Sequence, residues 1–545
     1  MFRNRRQRNK YMNRNILGFV LTALTGMASI NASAQTQVAV FSVNDFHGAF
    51  VRNDAKGIAG APAVLQTLDS LKTVYPFNVT VSAGDLFGGS YFYNATKGVL
   101  MPEFLDNMDI TLSALGNHEF DDGQDALAAK WESSPLRPRD WDISYVCANV
   151  RNNQTHAVPA FAKPSATRTI TLPNGKDFTV GFVGLIASST PQQVSVRRIK
   201  GLSFDGNYTA VLDSVMRLPE GAAVRKANLR LLLTHVGSRM NKKTHQPEWD
   251  DKDAANLQQI NDRSLWHGII SSHSHQPVCG TINEAQLPIV QGRWHGDYIS
   301  MLLCTIDNNT LEVTKVEPRL VRVTPKQQLE PAAAQLQAQI DTLLAKTKTA
   351  GGTPIGTVLT TVSHNMVHDR DNKYCFSEVG TLVCEAYAEA FRHSERLNAN
   401  TPVIGCSHFG SIRAGFVKGS LSVLDVGETL PFSNPLKAYI VTGKQLKALV
   451  RFGLHNQRFG WLQTGNLDIV KDTENNVVRL AYVSPTGKHT PLTDLTQCYL
   501  VADEFITNGG DGYDANFFKQ LRQVDSRQLP ATTDAFISYL KNRTL

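Results

Sequence analysis

The amino-acid sequence predicts an α/β protein of two domains in which helices and strands form packed layers. The chain has 545 residues, which is more than a single hydrophobic core usually supports. Its first half contains short apolar runs rich in β-branched residues and leucine, as expected of strands that are covered on both faces. Segments with helical spacing, such as 61–74 and 123–132, lie between these runs. This alternation predicts a layered α/β domain.

The first 34 residues have the pattern of a secretory signal peptide. They contain six basic residues and no acidic residue, then an apolar stretch over 16–30, then Ala32-Ser33-Ala34. We therefore expect cleavage before Gln35 and a secreted protein, located in the periplasm or at the cell surface. The alternative is a membrane anchor, but the apolar stretch is short for a bilayer and is interrupted by hydroxyl residues. No later segment is long and apolar enough to predict a membrane span.

The charge and cysteine content exclude several functions. The formal net charge is +7, but six of the 55 basic residues lie in the predicted signal peptide, and the other 49 nearly balance the 48 acidic residues. The mature surface therefore gives no reason to expect a nucleic-acid polymer as partner. The seven cysteines contain no Cys-x-x-Cys pair, which argues against a structural zinc site. Cys279 and Cys304 are a candidate disulfide, and a set of buried thiols is the equal alternative.

Changes in composition divide the mature chain into two domains joined by a helix. Residues 35–325 contain the strand-like runs and form the first domain. Residues 326–352 begin as an amphipathic helix after Pro325 and end at Ala350-Gly351-Gly352, which breaks the helix. Residues 353–545 alternate helical and strand-like segments, so we expect a second α/β domain there.

Five of the predicted strands end in side chains of the types that bind divalent metals. Asp45 and His47 follow the run 38–43, Asp85 follows 79–82, and Asn117 follows 110–115. His235 follows the run 229–233, and His273 and His275 follow 269–271. Ligands commonly bind beyond the carboxyl ends of the strands in an α/β sheet. Each of these residues alone is best explained as surface polarity, a turn residue or a buried histidine, whereas the five turns together indicate one site.

The chemistry of this set predicts two adjacent divalent cations. Mixed imidazole, carboxylate and amide ligands favour Zn²⁺, Mn²⁺, Co²⁺ or Fe²⁺ over Mg²⁺ or Ca²⁺. Two cations about 3.5–4 Å apart can hold the attacking and leaving oxygens of a phosphoryl transfer. One carboxylate must bridge the cations, and Asp85 is the natural choice because it stands alone in its turn.

These motifs resemble the secreted bacterial 5′-nucleotidase family, within the calcineurin-like two-metal phosphoesterases. The most specific motif is Gly-Asn-His-Glu-Phe-Asp at 116–121. Three further motifs follow the order of the family: Asn44-Asp45-Phe46-His47-Gly48, Gly84-Asp85 and His273-Ser274-His275. The resemblance covers nearly all of the mature chain. It implies a four-layer α/β/β/α metallophosphoesterase domain followed by an α/β nucleotide-binding domain.

The resemblance also implies a role for each polar residue. The first metal would take Asp45, His47, Asp85 and His275, and the second would take Asp85, Asn117, His235 and His273. His118 and Asp121 would form the catalytic pair, because an imidazolium that a carboxylate orients can stabilise charge on phosphoryl oxygens. A metal-bound hydroxide would be the nucleophile, so no covalent enzyme intermediate is expected.

In the second domain, the resemblance implies a nucleoside site between two aromatic rings. Trp461 and Tyr513 are predicted to hold the base, Arg413 to hold a phosphate or carboxylate, and Asn434 to contact the ribose or the base edge. The loop before Arg413 departs from the family, since His-Phe-Gly-Ser at 408–411 replaces Asn-Gly-Gly-Gly. A second arginine is not evident, and Lys437 is a weak substitute for it. These departures leave the exact substrate open.

The predicted function is metal-dependent release of phosphate from nucleoside 5′-monophosphates. Hydrolysis of UDP-sugars or of 2′,3′-cyclic nucleotides is the alternative within the same family. A surface nucleotide-binding protein with weak activity and a broad metallophosphatase without preference for a nucleoside are also consistent with the motifs. The metal set is intact in each case, so the choice among these functions depends on the second domain.

Overall fold

The computed structural model describes residues 35–545, except for 251–256, 261, 263, 371, 526–528, 542 and 544. The predicted signal peptide lies outside the described residues. Among the residues that are described, no helix is both long enough and apolar enough to cross a membrane.

Strands and helices alternate along the described part of residues 35–346. The strands are β1 (Gln35–Val43), β2 (Asn78–Ser82), β3 (Leu112–Ala114), β4 (Ser144–Val146), β5 (Val150–Asn152), β6 (Ala162–Lys163), β7 (Ser165–Thr171), β8 (Asp177–Ile186), β9 (Leu202–Phe204), β10 (Leu229–His235), β11 (Ser238–Met240), β12 (Pro247–Trp249), β13 (Gly268–Ile270), β14 (Pro277–Ile282), β15 (Leu287–Gly292), β16 (Tyr298–Asp307) and β17 (Val313–Arg322). The helices are α1 (Ala61–Val74), α2 (Tyr91–Thr96), α3 (Met101–Asn107), α4 (Gln124–Ala129), α5 (Tyr208–Arg217), α6 (Ala222–Arg225) and α7 (Pro331–Lys346).

Two large sheets organise the first domain, and both are parallel at their centres. Their strand orders are β17-β16-β1-β2-β3-β4-β6 and β14-β15-β13-β10-β8-β7. In the first sheet β1, β2, β3, β4 and β6 run parallel, and in the second sheet β8, β10, β13 and β15 run parallel. The predicted runs therefore are strands, and the turns that follow β1, β2, β3, β10 and β13 lie at the carboxyl ends, where ligands bind.

Three hydrophobic cores give the first domain four layers. The core between the sheets contains Val40 from β1 and Leu231 from β10, both fully buried. Leu65 of α1 belongs to the core on the outer face of the first sheet, and Leu212 of α5 belongs to the core on the outer face of the second. Each such leucine contributes about 1.5–3 kcal/mol through its burial. The expected α/β/β/α architecture is confirmed.

The helix α7 follows the last strand of the first domain. It begins at Pro331, whose fixed φ suits the first helical turn, and not directly after Pro325. Its buried residues Leu336 and Ile340 belong to the same core as Leu65 of α1, and α7 packs against that helix. The helix lies inside the segment 326–352 that the sequence marks as a linker.

The second domain is a mixed α/β structure around a five-stranded sheet of order β22-β19-β26-β21-β27. Helix α8 packs on one face of this sheet, and α10 packs on the other, so the predicted α/β fold is confirmed. The strands are β18 (Val358–Val362), β19 (Val403–Ser407), β20 (Gly419–Ser422), β21 (Leu436–Thr442), β22 (Gln463–Gly465), β23 (Leu467–Lys471), β24 (Val477–Val483), β25 (His489–Leu492), β26 (Gln497–Asp503) and β27 (Arg522–Val524). The helices are α8 (Glu378–Ser394), α9 (Val423–Thr429), α10 (Gly443–Leu454), α11 (Glu504–Thr507), α12 (Ala515–Lys519) and α13 (Thr532–Leu540).

All seven cysteines are free thiols. Cys279 lies on β14 of the second sheet, whereas Cys304 lies on β16 of the first sheet and points into the core between the sheets. The candidate disulfide between them is therefore not formed. Five of the seven thiols are buried, which agrees with the alternative of apolar packing.

Gly184 on β8 allows the two sheets to approach closely. Its carbonyl accepts a hydrogen bond from the Ala148 amide at 2.7 Å, and a Cβ atom here would overlap the Val146 carbonyl. We expect Gly184→Ala to lower the free energy of unfolding by about 1–3 kcal/mol, because the backbone must move. In the control Gly206→Ala, the new methyl group meets only the Ser188 side chain. Equal stability of the two variants in a denaturant titration would contradict this interpretation.

Candidate active site

The candidate metal ligands stand in turns with unusual backbone conformation. Five of them have positive φ angles, namely Asp45 (48°), His47 (49°), Asp85 (55°), His273 (80°) and His275 (57°). Residues other than glycine rarely adopt this region, and each instance costs about 1–3 kcal/mol. Strain of this kind persists where the surrounding fold imposes it, which is common at functional sites.

The first group of ligand atoms joins both sheets. Asp45, His47, Asp85 and His275 each offer one atom, and these atoms all lie within 4.8 Å of one another. Nε2 of His47 is 3.7 Å from Oδ2 of Asp85, and Nε2 of His275 is 3.6 Å from Oδ1 of Asp45. The two imidazole nitrogens are 3.0 Å apart. Nitrogen and carboxylate donors that converge at this spacing fit a transition-metal cation.

The second group shares Asp85 with the first. Its other members are His235 and His273, again with ligand atoms within 4.8 Å of one another. Nε2 of His235 is 3.2 Å from Oδ2 of Asp85. Oδ1 of Asn117 is buried without a hydrogen-bond partner. Buried polar atoms are normally paired, so this unpaired amide oxygen fits a cation. Asp85 is common to both groups of candidate ligands, so its carboxylate could serve both.

Further contacts orient the ligands. Nδ1 of His235 donates to the Ala83 carbonyl at 2.8 Å, which leaves Nε2 directed at the site. Asp45 accepts from Nδ2 of Asn44 at 2.6 Å and from the amide of His273 at 3.1 Å. Because these contacts connect different turns, the ligand positions depend on one another.

Burial and neighbouring charge separate the ligands into charged and neutral groups. Burial acts to lower the pKa of His235, but the Asp85 carboxylate raises it to about 10. Burial also acts to raise the pKa of Asp85, but the charge of His235 holds it well below the usual range. Burial lowers the pKa of His273 to about 3 and that of His275 to about 4, so both are in the neutral form that binds metals. Burial raises the pKa of Asp45 to about 7, and a cation beside it would restore its ionised form.

His118 and Asp121 lie at the edge of the metal ligands and face a cavity. Nδ1 of His118 is 2.7 Å from Oδ2 of Asp121, and the His118 amide donates to Oδ1 of Asp85 at 2.9 Å. Burial acts to lower the pKa of His118, but Asp85 and then Asp121 raise it to about 9. The structure therefore brings the predicted pair together and favours a positive charge on the imidazole.

Glu119 has a positioning role that the sequence does not reveal. Its side chain is fully buried and accepts hydrogen bonds from the amides of Asp85 at 2.9 Å, Leu86 at 2.7 Å and Gly116 at 2.5 Å. One carboxylate thus joins the turn that carries Asp85 to the turn that carries Asn117. The only signal in the sequence is an acidic residue inside the conspicuous motif at 116–121.

Two cavities adjoin the metal ligands, and both extend to the second domain. The first, of about 450 Å³, is lined by His47, His118, His275 and Trp294 from one domain and by Arg370 and Arg413 from the other, among further residues. The second, of about 1010 Å³, has a polar wall that includes Asn94, Lys97, Asn117, His118, Gln193, Arg198 and again Arg413. Arg413 therefore lines both of the cavities that adjoin the candidate metal ligands.

A third cavity, of about 550 Å³, lies in the second domain. Its wall consists of basic, aromatic and polar residues: Arg370, Lys373, His408, Phe409, Gly410, Arg413, Phe432, Asn434, Arg458, Phe459, Phe505 and Asp511. Arg413 and Asn434, both predicted to bind substrate, are part of this wall. The divergent loop 408–411 supplies His408, whose Nδ1 is 2.6 Å from Oδ2 of Asp511.

Trp461 and Tyr513, which the resemblance implies as the supports of a base, do not line this cavity. Tyr513 is only 4% exposed and belongs to a hydrophobic core of the second domain, and its ring makes an edge contact with the exposed Phe452. Trp461 packs against Phe376, with the Lys471 ammonium 4.8 Å from its ring centre. Both residues belong to the packing of the domain and not to the cavity wall.

Phe459 and Phe505 are two of the four phenylalanines that line the cavity, the others being Phe409 and Phe432. Phe505 is 42% exposed and stands in α11, directly after β26, and its ring stacks on His408 with centroids 4.7 Å apart. Phe459 lies on the loop after α10 and contributes to the same wall. Phe459 stands two residues before Trp461 and Phe505 stands eight residues before Tyr513, so the motifs lead to the cavity but not to the residue that faces it.

Arg370 is the second arginine that the sequence did not reveal, because no motif surrounds it. Arg370 and Arg413 are accessible inside the cavities, where protein surrounds them. Desolvation, and then the charge of Arg370, lower the pKa of Arg413 to about 10. Among the described residues neither arginine forms an ion pair with a carboxylate. Lys437, the weak substitute, pairs with Glu504 at 3.0 Å and does not line the cavity.

Comparisons with known proteins agree with this architecture. The family described as calcineurin-like phosphoesterase matches residues 39–277, and the family described as 5′-nucleotidase, C-terminal domain, matches residues 354–519. The chain is 24% identical to a cell wall protein of Listeria monocytogenes, over 96% of this chain and 69% of that protein. It is 23% identical to an apyrase of Aedes aegypti, over 92% of this chain and 88% of that protein. A 5′-nucleotidase precursor from Thermus thermophilus has the same fold, with a TM-score of 0.62 at 21% identity, over 93% of this chain and 97% of that chain.

The fold and the site together define a phosphoric ester hydrolase with a candidate centre for divalent metals. Its ligands come from two facing sheets, and its second domain adds a basic and aromatic cavity. The chain belongs to the calcineurin-like phosphoesterases that carry a 5′-nucleotidase C-terminal domain.

We predict that Glu119→Gln weakens metal binding by about 10- to 100-fold and lowers the free energy of unfolding by about 1–3 kcal/mol. The amide NH₂ of glutamine cannot accept from the backbone amides that the carboxylate now satisfies. Competition with a chromogenic chelator measures the first effect, and denaturant unfolding measures the second. Glu132→Gln, at an exposed glutamate of the same domain, is the matched control. Wild-type metal affinity and stability in Glu119→Gln would show that Glu119 does not position the turns.

Proposed function

We propose that this protein is a metal-dependent hydrolase that releases phosphate from nucleoside 5′-monophosphates. The observation that carries the proposal is the position of Arg413. This residue lines the cavities beside His118 and the metal ligands, and it also lines the cavity that contains Phe459 and Phe505. A nucleotide bound along this path would place its phosphate at the metal ligands and its nucleoside in the second domain.

At the phosphate end, the positive charges of His118 and Arg413 suit an anion whose negative charge increases in the transition state. Nδ1 of His118 is occupied by Asp121, so Nε2 would donate to a phosphoryl oxygen or to the departing ester oxygen. Arg413 would hold a second phosphoryl oxygen. Divalent cations, when bound by the two ligand groups, would polarise the phosphoryl oxygens and activate the attacking water.

At the nucleoside end, Phe459 and Phe505 would stack on the base. Stacking on aromatic rings contributes about 1–3 kcal/mol per base in nucleic-acid binders and tolerates different bases. Asn434 would bond to the ribose or to the base edge. Because Asp511 already pairs with His408, the two together form a polar contact in the wall and not an uncompensated negative charge.

The large polar cavity beside the metal ligands favours a second candidate, the hydrolysis of nucleotides with a longer phosphate end, such as UDP-sugars. Its volume of about 1010 Å³ exceeds what one phosphate occupies. Lys97 and Arg198 line it, so it would accept a further phosphate or a polar sugar. One relative of similar length is an apyrase.

An extracellular location is part of this proposal. The N-terminal signal pattern supports it, and so does the similarity to a cell wall protein. Detection of the processed protein, beginning at Gln35, outside the cytoplasm would establish it.

We expect purified protein to release phosphate from AMP, to lose this activity in EDTA and to regain it with Mn²⁺ or Co²⁺. His118→Asn should lower kcat by about 10²–10⁴-fold, because it removes the proton donor. His156→Asn, at an exposed histidine outside the cavities, is the matched control and should retain full activity. A phosphate-release assay measures all three proteins.

Two outcomes would contradict this function. The first is the absence of metal-dependent hydrolysis with every nucleotide tested. The second is equal turnover in wild type and His118→Asn while both still bind AMP, which would favour a surface nucleotide-binding protein.

We predict that Phe505→Ala raises the KM for AMP by roughly 5- to 150-fold, which corresponds to the loss of about 1–3 kcal/mol of stacking. Trp461→Ala removes a larger aromatic of the same domain outside the cavity and should change KM by less than about twofold. Steady-state kinetics on variants with unchanged melting temperature make the comparison. An unchanged KM in Phe505→Ala would favour a phosphatase without preference for a nucleoside.

A further inference from the structure

We infer that the cavity of the second domain binds a second phosphate, carried on the ribose of the nucleotide itself. The preferred substrate class is then a nucleoside bisphosphate, with one phosphate at the 5′ position and one at the 2′ or 3′ position. Lys373 and Arg458 form the second anion subsite. The inference rests on the function proposed above and deepens it.

The first observation is an excess of positive charge in the cavity wall. Four basic side chains line it, namely Arg370, Lys373, Arg413 and Arg458, and Asp511 is the only acidic side chain among the described lining residues. Asp511 contacts Nδ1 of His408 at 2.6 Å, and among the described residues it forms no ion pair with any of the four cations. A single 5′-phosphate does not balance the remaining cations.

The second observation is that the four cations divide into two pairs. Arg370 and Arg413 also line the cavity beside the metal ligands, so they serve the 5′-phosphate. Lys373 and Arg458 line only the cavity of the second domain. The second pair therefore lies on the nucleoside side of the path, where a 5′-monophosphate has no anionic group.

The third observation is that Lys373 and Arg458 lack acidic partners. Among the described residues no carboxylate forms an ion pair with either side chain. Other cations of this protein do form such pairs, for example Arg239 with Glu248 at 2.7 Å and Lys437 with Glu504 at 3.0 Å. Like charges kept together without a counter-charge repel each other, and a bound phosphate would remove that repulsion through charge-assisted hydrogen bonds.

The fourth observation is that the backbone around this pair is fixed in advance. Nζ of Lys373 donates to the Arg458 carbonyl at 2.6 Å, and the Tyr374 hydroxyl donates to the Gln457 carbonyl at 2.7 Å. The Trp461 amide donates to the Lys373 carbonyl at 2.9 Å. These bonds hold the two segments side by side, which lowers the entropic cost of binding an anion there.

The arrangement also places the pair next to the base-stacking ring. The Arg458 guanidinium lies over the ring of Phe459, 5.0 Å from its centroid. Gly460, at φ 96°, lets the chain turn against the Lys373 carbonyl, where a Cβ atom would come within 2.8 Å. A base stacked on Phe459 would thus bring its ribose phosphate to Arg458 and Lys373.

The test compares adenosine 2′,5′-bisphosphate and adenosine 3′,5′-bisphosphate with AMP, using the full-length, Mn²⁺-loaded protein. We expect wild type to show a kcat/KM for one bisphosphate that is at least about tenfold higher than for AMP. Arg458→Gln and Lys373→Gln should each bring this ratio towards one. Arg479→Gln removes an exposed cation of the same domain outside the cavity and should keep the wild-type ratio.

Binding to the His118→Asn variant, measured by calorimetry, separates this inference from the proposed function. If no nucleotide is hydrolysed, the proposed function fails, but tighter binding of a bisphosphate that depends on Arg458 still supports the subsite. A ratio of bisphosphate to AMP near one, both in the kinetics of wild type and in the calorimetry of His118→Asn, would overturn the inference. The inference would also be overturned if Arg458→Gln kept the wild-type ratio of kcat/KM for the bisphosphate to kcat/KM for AMP.

Discussion

The structure depends on one electrostatic constraint, the burial of two carboxylates among several imidazoles at the carboxyl ends of the strands. Asp45 is fully buried and Asp85 nearly so, and neither could remain charged there without a positive neighbour. Before a cation binds, protonated His235 supplies one such charge beside Asp85, and it would lose that proton on becoming a ligand. The remaining ligands are neutral imidazoles and an unpaired amide oxygen, so the site is arranged to receive further positive charge as cations.

This constraint explains features that are costly when considered alone. Left-handed backbone at Asp45, His47 and Asp85 is unfavourable in an isolated turn, but here the turns are tied to each other. Glu119 joins two of them through three backbone amides. The close packing of the two sheets at Gly184 keeps their strand ends together. The stability of the first domain is thereby used to hold a strained set of ligands in place.

The second domain adds the substrate chemistry that the metal ligands lack. Arg413 lines every one of the three cavities described above, so in the proposed function it would couple the phosphate end of the substrate to the nucleoside end. Its pKa is lowered by desolvation and by Arg370, which shows that positive charge is concentrated there ahead of any ligand. The divergent loop 408–411 keeps this arrangement, because His408 is buried against Asp511 and Phe505 and leaves the centre of the cavity open.

The sequence by itself determined the layered fold and the candidate metal ligands. Strand periodicity places Asp45, Asp85, Asn117 and His235 at strand ends, and parallel strands must bring those ends to one edge.

Only the tertiary structure decided which aromatic residues face the substrate cavity. Phe459 and Trp461 are two positions apart, and Phe459 lines the cavity whereas Trp461 packs beside Phe376 outside it. The same holds for Arg370 and Glu119, because Arg413, which lies near Arg370, and Asp85 and Leu86, which Glu119 ties to its own turn, are more than 30 residues away in the chain. Local patterns specify strands and ligand types, whereas the direction of a loop side chain depends on backbone angles and on contacts that form only when the whole chain is folded.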